Sequence, residues 1–183
     1  YRCKRFPVGK FGHIGETYVD LPHSLNILYF FYIMSSIKVP ENYTQPTETQ
    51  LKVLVLRWTT DLCRCLEAQY KDYSLRSAIR NNETELSPYL QERVRKIEMD
   101  EEMMKFRIQK GKKYYKIIQQ DWRNGELRDG SVHAFVDKNT GEVYKPASWK
   151  SPAKHVRYDM RIISQREAMY ANCDWAGGYL YLR

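Results

Sequence analysis

The sequence predicts an α+β fold: N-terminal amphipathic helices followed by a small antiparallel β-meander. Three observations carry it. Leu51, Leu54, Val55, Trp58, Leu62, Cys65 and Leu66 recur at three- and four-residue spacing, the period of a helix with one apolar face. After Met104 the texture changes to short runs rich in Tyr, Ile, Val and Phe, which suit strands. Turn residues separate those runs, in "KGK" at 110–112 and "NTG" at 139–141.

Residues 1–33 show no clear helical or strand period. They are expected to be an upstream extension that is not native, or a disordered leader, because the first Met is Met34. The apolar stretch Leu25–Met34 is too short to cross a bilayer as a helix, and no membrane association is expected. Residues 34–46 hold Pro40 and Pro46 and read as a linker or arm.

The helical region is placed at 47–104. Thr47 and Gln50 have capping-box spacing, and the first helix is expected over about 48–72. Ser87-Pro88 starts a second, with Ser as cap and Pro in the first turn. Its apolar face is read as Leu90, Val94, Ile97, Met104 and Ile108, and the two helices are expected to pair as a hairpin.

The β-domain is placed at 105–183 and is expected to be self-contained. "KFRIQ" and "KYYKIIQQDW" form one hairpin, and "SVHAFVDK" and "EVYKPAS" another. Asp129-Gly130 is read as the loop between strands two and three. Val132, Ala134 and Val136 should share one face, with His133, Phe135 and Asp137 on the other. Gly141 is placed for a left-handed turn position, and Asp137 for bonds to turn backbone. A short helix is expected near 162–172, and "CDWAGGYLYLR" reads as a last strand.

The 183 residues include 30 Lys and Arg against 22 Asp and Glu, a net charge of +8. Such an excess favours polyanions. One basic run holds Lys145, Lys150, Lys154, Arg157 and Arg161, with His155 and Trp149 interleaved. A second holds Lys105, Arg107, Lys110, Lys112, Lys113 and Lys116. Cations beside an exposed aromatic suit single-stranded nucleic acid: charge for phosphates, a ring for bases. The competing expectation is that Trp149 plugs the end of the sheet. The site candidates are therefore Lys145, Trp149, Lys150, Lys154, His155, Arg157, Arg161, Lys110, Lys112 and Lys113.

No metal site or cofactor is expected. Of Cys3, Cys63, Cys65 and Cys173, only the middle two are close in sequence. On a helix they lie about 200° apart and cannot chelate together. No phosphate-binding loop, zinc-protease or hydrolase motif occurs in the sequence.

The segments "FVDKNTGEVYK", "ASWKSPAK" and "WAGGYLY" resemble small uncharacterised proteins of tailed bacteriophages, notably marine cyanophage-type ones. The resemblance covers residues 105–183 only. It implies a phage origin, with the host cytoplasm or the virion as location, and no established activity. The expected function is an accessory protein that acts by binding, without catalysis. Its expected partner is single-stranded nucleic acid or another acidic molecule. The alternative is a virion or assembly component in contact with phage structural proteins, and the third class is a cryptic enzyme.

Overall fold

The computed structural model describes residues 46–79 and 87–182. The expected leader, and all of the expected arm except Pro46, lie outside the described residues. Helix α1 runs Glu48–Ile79 and α2 Pro88–Glu98. The strands are β1 Lys105–Lys110, β2 Tyr114–Arg123, β3 Glu126–Asp137, β4 Glu142–Pro146 and β5 Pro152–Asp159. Helix α3 (Ile163–Asn172) and a 3₁₀ turn at Gly178–Leu180 follow.

The capping box forms as expected. The Thr47 backbone N–H donates to Gln50 Oε1 at 2.8 Å, and the Gln50 N–H donates to Thr47 Oγ1 at 3.3 Å. α1 continues to Ile79, past the predicted residue 72. Its buried stripe is Val55, Thr59, Leu62 and Leu66. The Thr59 hydroxyl donates to the Val55 carbonyl at 2.7 Å, so the stripe buries no unpaired polar group there.

Ser87 caps α2, accepting the Leu90 N–H at 3.4 Å, with Pro88 in the first turn. The helix stops at Glu98 and does not carry the apolar period on to Met104 and Ile108. Asp100 and Glu102, both at φ 56°, break it, since a non-Gly residue in the left-handed region ends a right-handed helix. Ala78, Ile97 and Met103 bury together, and Lys71 pairs with Asp100 at 3.0 Å. The two helices thus pack on each other as the sequence suggests.

The sheet is an antiparallel meander of five strands in the order β1-β2-β3-β4-β5. The sequence places four strands in the meander and a fifth at the C-terminus; the fifth is instead Pro152–Asp159, inside the basic run. The β2–β3 turn also differs. Asn124 and Gly125, at φ 52° and 84°, make the reversal between Arg123 and Glu126, the Asn-Gly signature of a two-residue hairpin loop. Asp129 and Gly130 instead lie within β3, with Asp129 opposite Gln120.

β3 carries a bulge. Ile117 is opposite Ala134, but the next residue, Ile118, is opposite Val132. His133 is the extra residue, and the faces exchange there. Ala134 and Val136 face the main core while Val132 does not. The His133 ring meets Phe106 of that core at 5.1 Å. The strict alternation expected for Val132–Asp137 therefore holds only from Ala134 onward.

Gly141 takes φ 70° as expected. Asp137 Oδ1 accepts the N–H groups of Asn139 and Thr140 at 2.9 and 3.3 Å. The segment after α3 is not the expected strand. Asp174 accepts the Gly178 and Tyr179 N–H groups at 3.0 Å each, and Gly177 is left-handed at φ 80°. Together they wind residues 174–180 into a strap that buries Leu180.

One core joins these parts. Val55, Leu62 and Leu66 of α1 pack with Ile117, Ala134, Val136 and Val143 of the sheet and with Met160, Met169 and Leu180 beyond it. α2 ends at Glu98 and β1 begins at Lys105, and helices and sheet each cover apolar surface of the other.

Candidate functional site

The β4–β5 connection is a tight turn. Ser148 Oγ lies 2.8 Å from Ser151 Oγ and accepts the N–H groups of Lys150 and Ser151 at 3.2 and 3.1 Å. The Ala147 and Ser148 N–H groups donate to the Ser151 carbonyl. This local network fixes the backbone and leaves Trp149 45% exposed. Trp149 is therefore not a buried plug at the end of the sheet.

Lys116 on β2 lies beneath it. Its ammonium is 5.2 Å from the centre of the Trp149 ring and 5.8 Å from that of Phe135, its cross-strand partner. The pair of rings holds the cation by its attraction to their π faces. Phe135 is 2% exposed. Tyr114 meets Phe135 edge-to-face at 5.9 Å and Tyr144 at 6.0 Å. The Tyr144 hydroxyl donates to Glu142 Oε2 at 2.7 Å. Burial, together with that carboxylate, raises its pKa well above the usual tyrosine range, so it stays protonated.

A cleft of about 220 Å³ opens beside these rings. Lys110, Lys112, Lys116 and Lys150 line it, with Tyr114 and Phe135. The fold thus brings residues of both basic runs, about forty positions apart in sequence, to one place. No Asp or Glu lines this cleft. Lys113, just outside, pairs with Asp137 at 3.5 Å and lies 5.2 Å from the Tyr114 ring centre. Its pKa is raised, first by its contact with the Tyr114 side chain.

The other predicted residues are dispersed. Lys145 lies 3.5 Å from the Tyr181 ring centre, in a second cleft that His133 also lines. Lys154 and His155 are exposed on β5. Arg157 has a structural role, with Nε donating to the Leu180 carbonyl at 2.6 Å and Nη1 to that of His155 at 2.8 Å. Arg161 pairs with Asp159 at 2.6 Å, which holds the Asp159 carboxyl below its usual range. In the second run, Lys105 pairs with Glu67 at 3.5 Å and Arg107 with Asp129.

The sequence reading gave Tyr114 and Phe135 no role in the site, and Lys116 none beyond its place in the basic run. The "NG" turn alone would put Lys116 opposite His133; two register shifts along β3 bring Phe135 there instead, and residue types alone show neither shift. Among the described residues, no group of three His, Cys, Asp or Glu could hold a metal ion, and no helix is long and apolar enough to cross a membrane.

Fold and site together describe an α+β protein whose meander sheet carries a lysine-lined aromatic cleft. The chain belongs to DUF7717, a family of unknown function, whose model matches residues 41–182. That match takes in both helices, which the resemblance seen in the sequence left out. No curated protein and no solved structure matches the chain.

Proposed function

We propose that this chain is a non-catalytic binding protein that takes single-stranded nucleic acid through the Trp149 cleft, as a phage-encoded accessory protein. The observation that carries the reading is the convergence of Lys110, Lys112, Lys116 and Lys150 on one cleft beside a half-exposed indole. Lysines supply sequence-independent phosphate contacts, and an indole face stacks any base. The phage origin rests on the resemblance of "FVDKNTGEVYK", "ASWKSPAK" and "WAGGYLY".

The test is fluorescence anisotropy of a labelled oligothymidylate over a salt series. Lys112→Ala with Lys150→Ala should weaken binding and flatten the salt dependence by roughly 0.7 of a log unit per lost contact. Trp149→Ala should cost about 1–3 kcal/mol of affinity and leave the salt slope unchanged. If single- and double-stranded DNA and RNA all fail to bind at low salt, nucleic acid is eliminated. The second reading, a virion or assembly component, then takes over. Its support is the exposed end of the β2–β3 hairpin, where Trp122 and Leu127 stand opposite each other, 40% and 38% exposed.

A further inference from the structure

The cleft beside Trp149 is small and short. The β1–β2 turn bounds it on one side, through Lys110, Gly111 and Lys112, and Lys150 of the β4–β5 turn bounds it on another. Phe135 and Tyr114 form its wall. Its volume of about 220 Å³ is below the roughly 300 Å³ at which pockets begin to hold drug-sized ligands. There is room for one small group.

The charge inside is out of proportion to that space. Four lysines line the cleft and no carboxylate does. The nearby cations are otherwise engaged. Lys113 is paired with Asp137, and the Lys138 ammonium donates to the Gly111 carbonyl, which ties the turn to β3. An internal phosphodiester brings one negative charge, and a running strand needs its cations spread along a groove. A terminal phosphomonoester brings about −1.5 to −2 charges near pH 7 and three strong acceptor oxygens on one atom. That is the group whose charge density fits several ammoniums in one small cleft.

From this convergence of Lys110, Lys112, Lys116 and Lys150 on a single-group cleft beside Trp149 we infer that the site recognises the phosphorylated end of a nucleic-acid strand. The terminal phosphate sits among the lysines, and the first base stacks on the open side of the Trp149 indole. This inference rests on the single-strand reading above and narrows it from strand to strand end.

The experiment compares one 3′-labelled oligothymidylate carrying either a 5′-phosphate or a 5′-hydroxyl, with the 3′-phosphorylated, 5′-labelled strand as a third ligand. The full chain is used throughout. One phosphorylated end should bind about tenfold tighter than its hydroxyl counterpart, as expected for one or more added charge-assisted contacts, and with a steeper salt dependence. Lys110→Gln with Lys112→Gln should abolish the preference; both residues are exposed, and an unchanged melting curve verifies folding. Trp149→Ala should weaken phosphorylated and hydroxyl strands by the same factor. Equal affinity for all three strands overturns the end-recognition inference and leaves the single-strand reading standing. If none of the strands binds, the single-strand reading falls. A phosphoserine peptide of matched charge that competes as well as the phosphorylated strand also overturns the inference, since it would assign the cleft to phosphate esters regardless of nucleic acid.

Discussion

The Lys116 ammonium lies 5.2 Å from the centre of the Trp149 ring, which joins the first residues of β2 to the tip of the β4–β5 turn. Because Trp149 is 45% exposed, this contact contributes little to folding. Trp149→Ala should lower stability by no more than about 1 kcal/mol, the scale of an exposed cation–π pair. Urea titration measures it. A loss of about 3–5 kcal/mol, the cost of truncating a buried Trp, would return Trp149 to the role of a structural plug.

Two glycines separate backbone strain from crowding. Gly125 and Gly141 both have positive φ, 84° and 70°. A Cβ at Gly125 meets nothing within 4 Å, whereas at Gly141 it lies 3.3 Å from Val55 Cγ2 and 3.5 Å from Met160 Cβ. Gly125→Ala should cost about 1 kcal/mol from conformation alone. Gly141→Ala should cost about 2 kcal/mol, because core atoms must also move. Equal losses in denaturant titrations would mean that α1 yields freely at Val55.

His133 should make the fold acid-sensitive. It is 6% exposed, and its Nε2 lies 3.1 Å from the Tyr179 hydroxyl. Burial pushes its pKa down from 6.5 to about 4, against a smaller opposing pull from Asp174. The folded state therefore binds fewer protons than the unfolded state between pH 6.5 and 4. Stability is complete above pH 6.5 and falls as pH drops through that window, by about 3 kcal/mol in all. Denaturation midpoints at pH 7 and 4.5 should differ in the wild type and converge in His133→Gln. Asp129 and Asp159, held low by Arg107 and Arg161, contribute their acid loss below about pH 4, outside this window.

The thiols of α1 should differ in reactivity. Burial pushes the Cys63 thiol up to about 12. Cys65, half-buried, is lowered by a hydrogen bond with the Cys173 side chain. In a Cys3→Ser background at pH 8, an aromatic disulfide reagent should modify Cys65 first and leave Cys63 untouched until the chain unfolds. Cys173→Ala should slow the Cys65 reaction. Equal rates for Cys63 and Cys65 would contradict the burial assigned to them.

Local signals carried most of the fold into the sequence. Thr47 with Gln50, Ser87-Pro88 and Gly141 each act within four residues, and each landed where expected. The misses came where distant partners decide. Nothing in "PAKHVRYD" alternates cleanly, since Lys154, His155 and Val156 are all exposed, so β5 read as a loop. The alternation in "GYLYLR" mimicked a strand, but Asp174 captured the backbone N–H groups that a strand would have offered to a neighbour. The His133 bulge followed from pairing between strands, which no single run displays. The cleft was half legible: both basic runs were visible, but their meeting depends on the meander's register and on a turn placed by Asn124-Gly125.

The strap also sets the order of events during synthesis. The Trp175 N–H donates to Gln69 Oε1 across 106 positions, and the Tyr170 hydroxyl to the Trp58 carbonyl across 112. Leu180 completes a core begun by Val55. A ribosome must therefore release the chain through Leu180 before α1 gains its final covering. Until then the sheet covers the stripe from Val55 to Leu66 only in part, and a chain truncated before the strap emerges with the Leu180 end of its core open to water, a surface that favours aggregation.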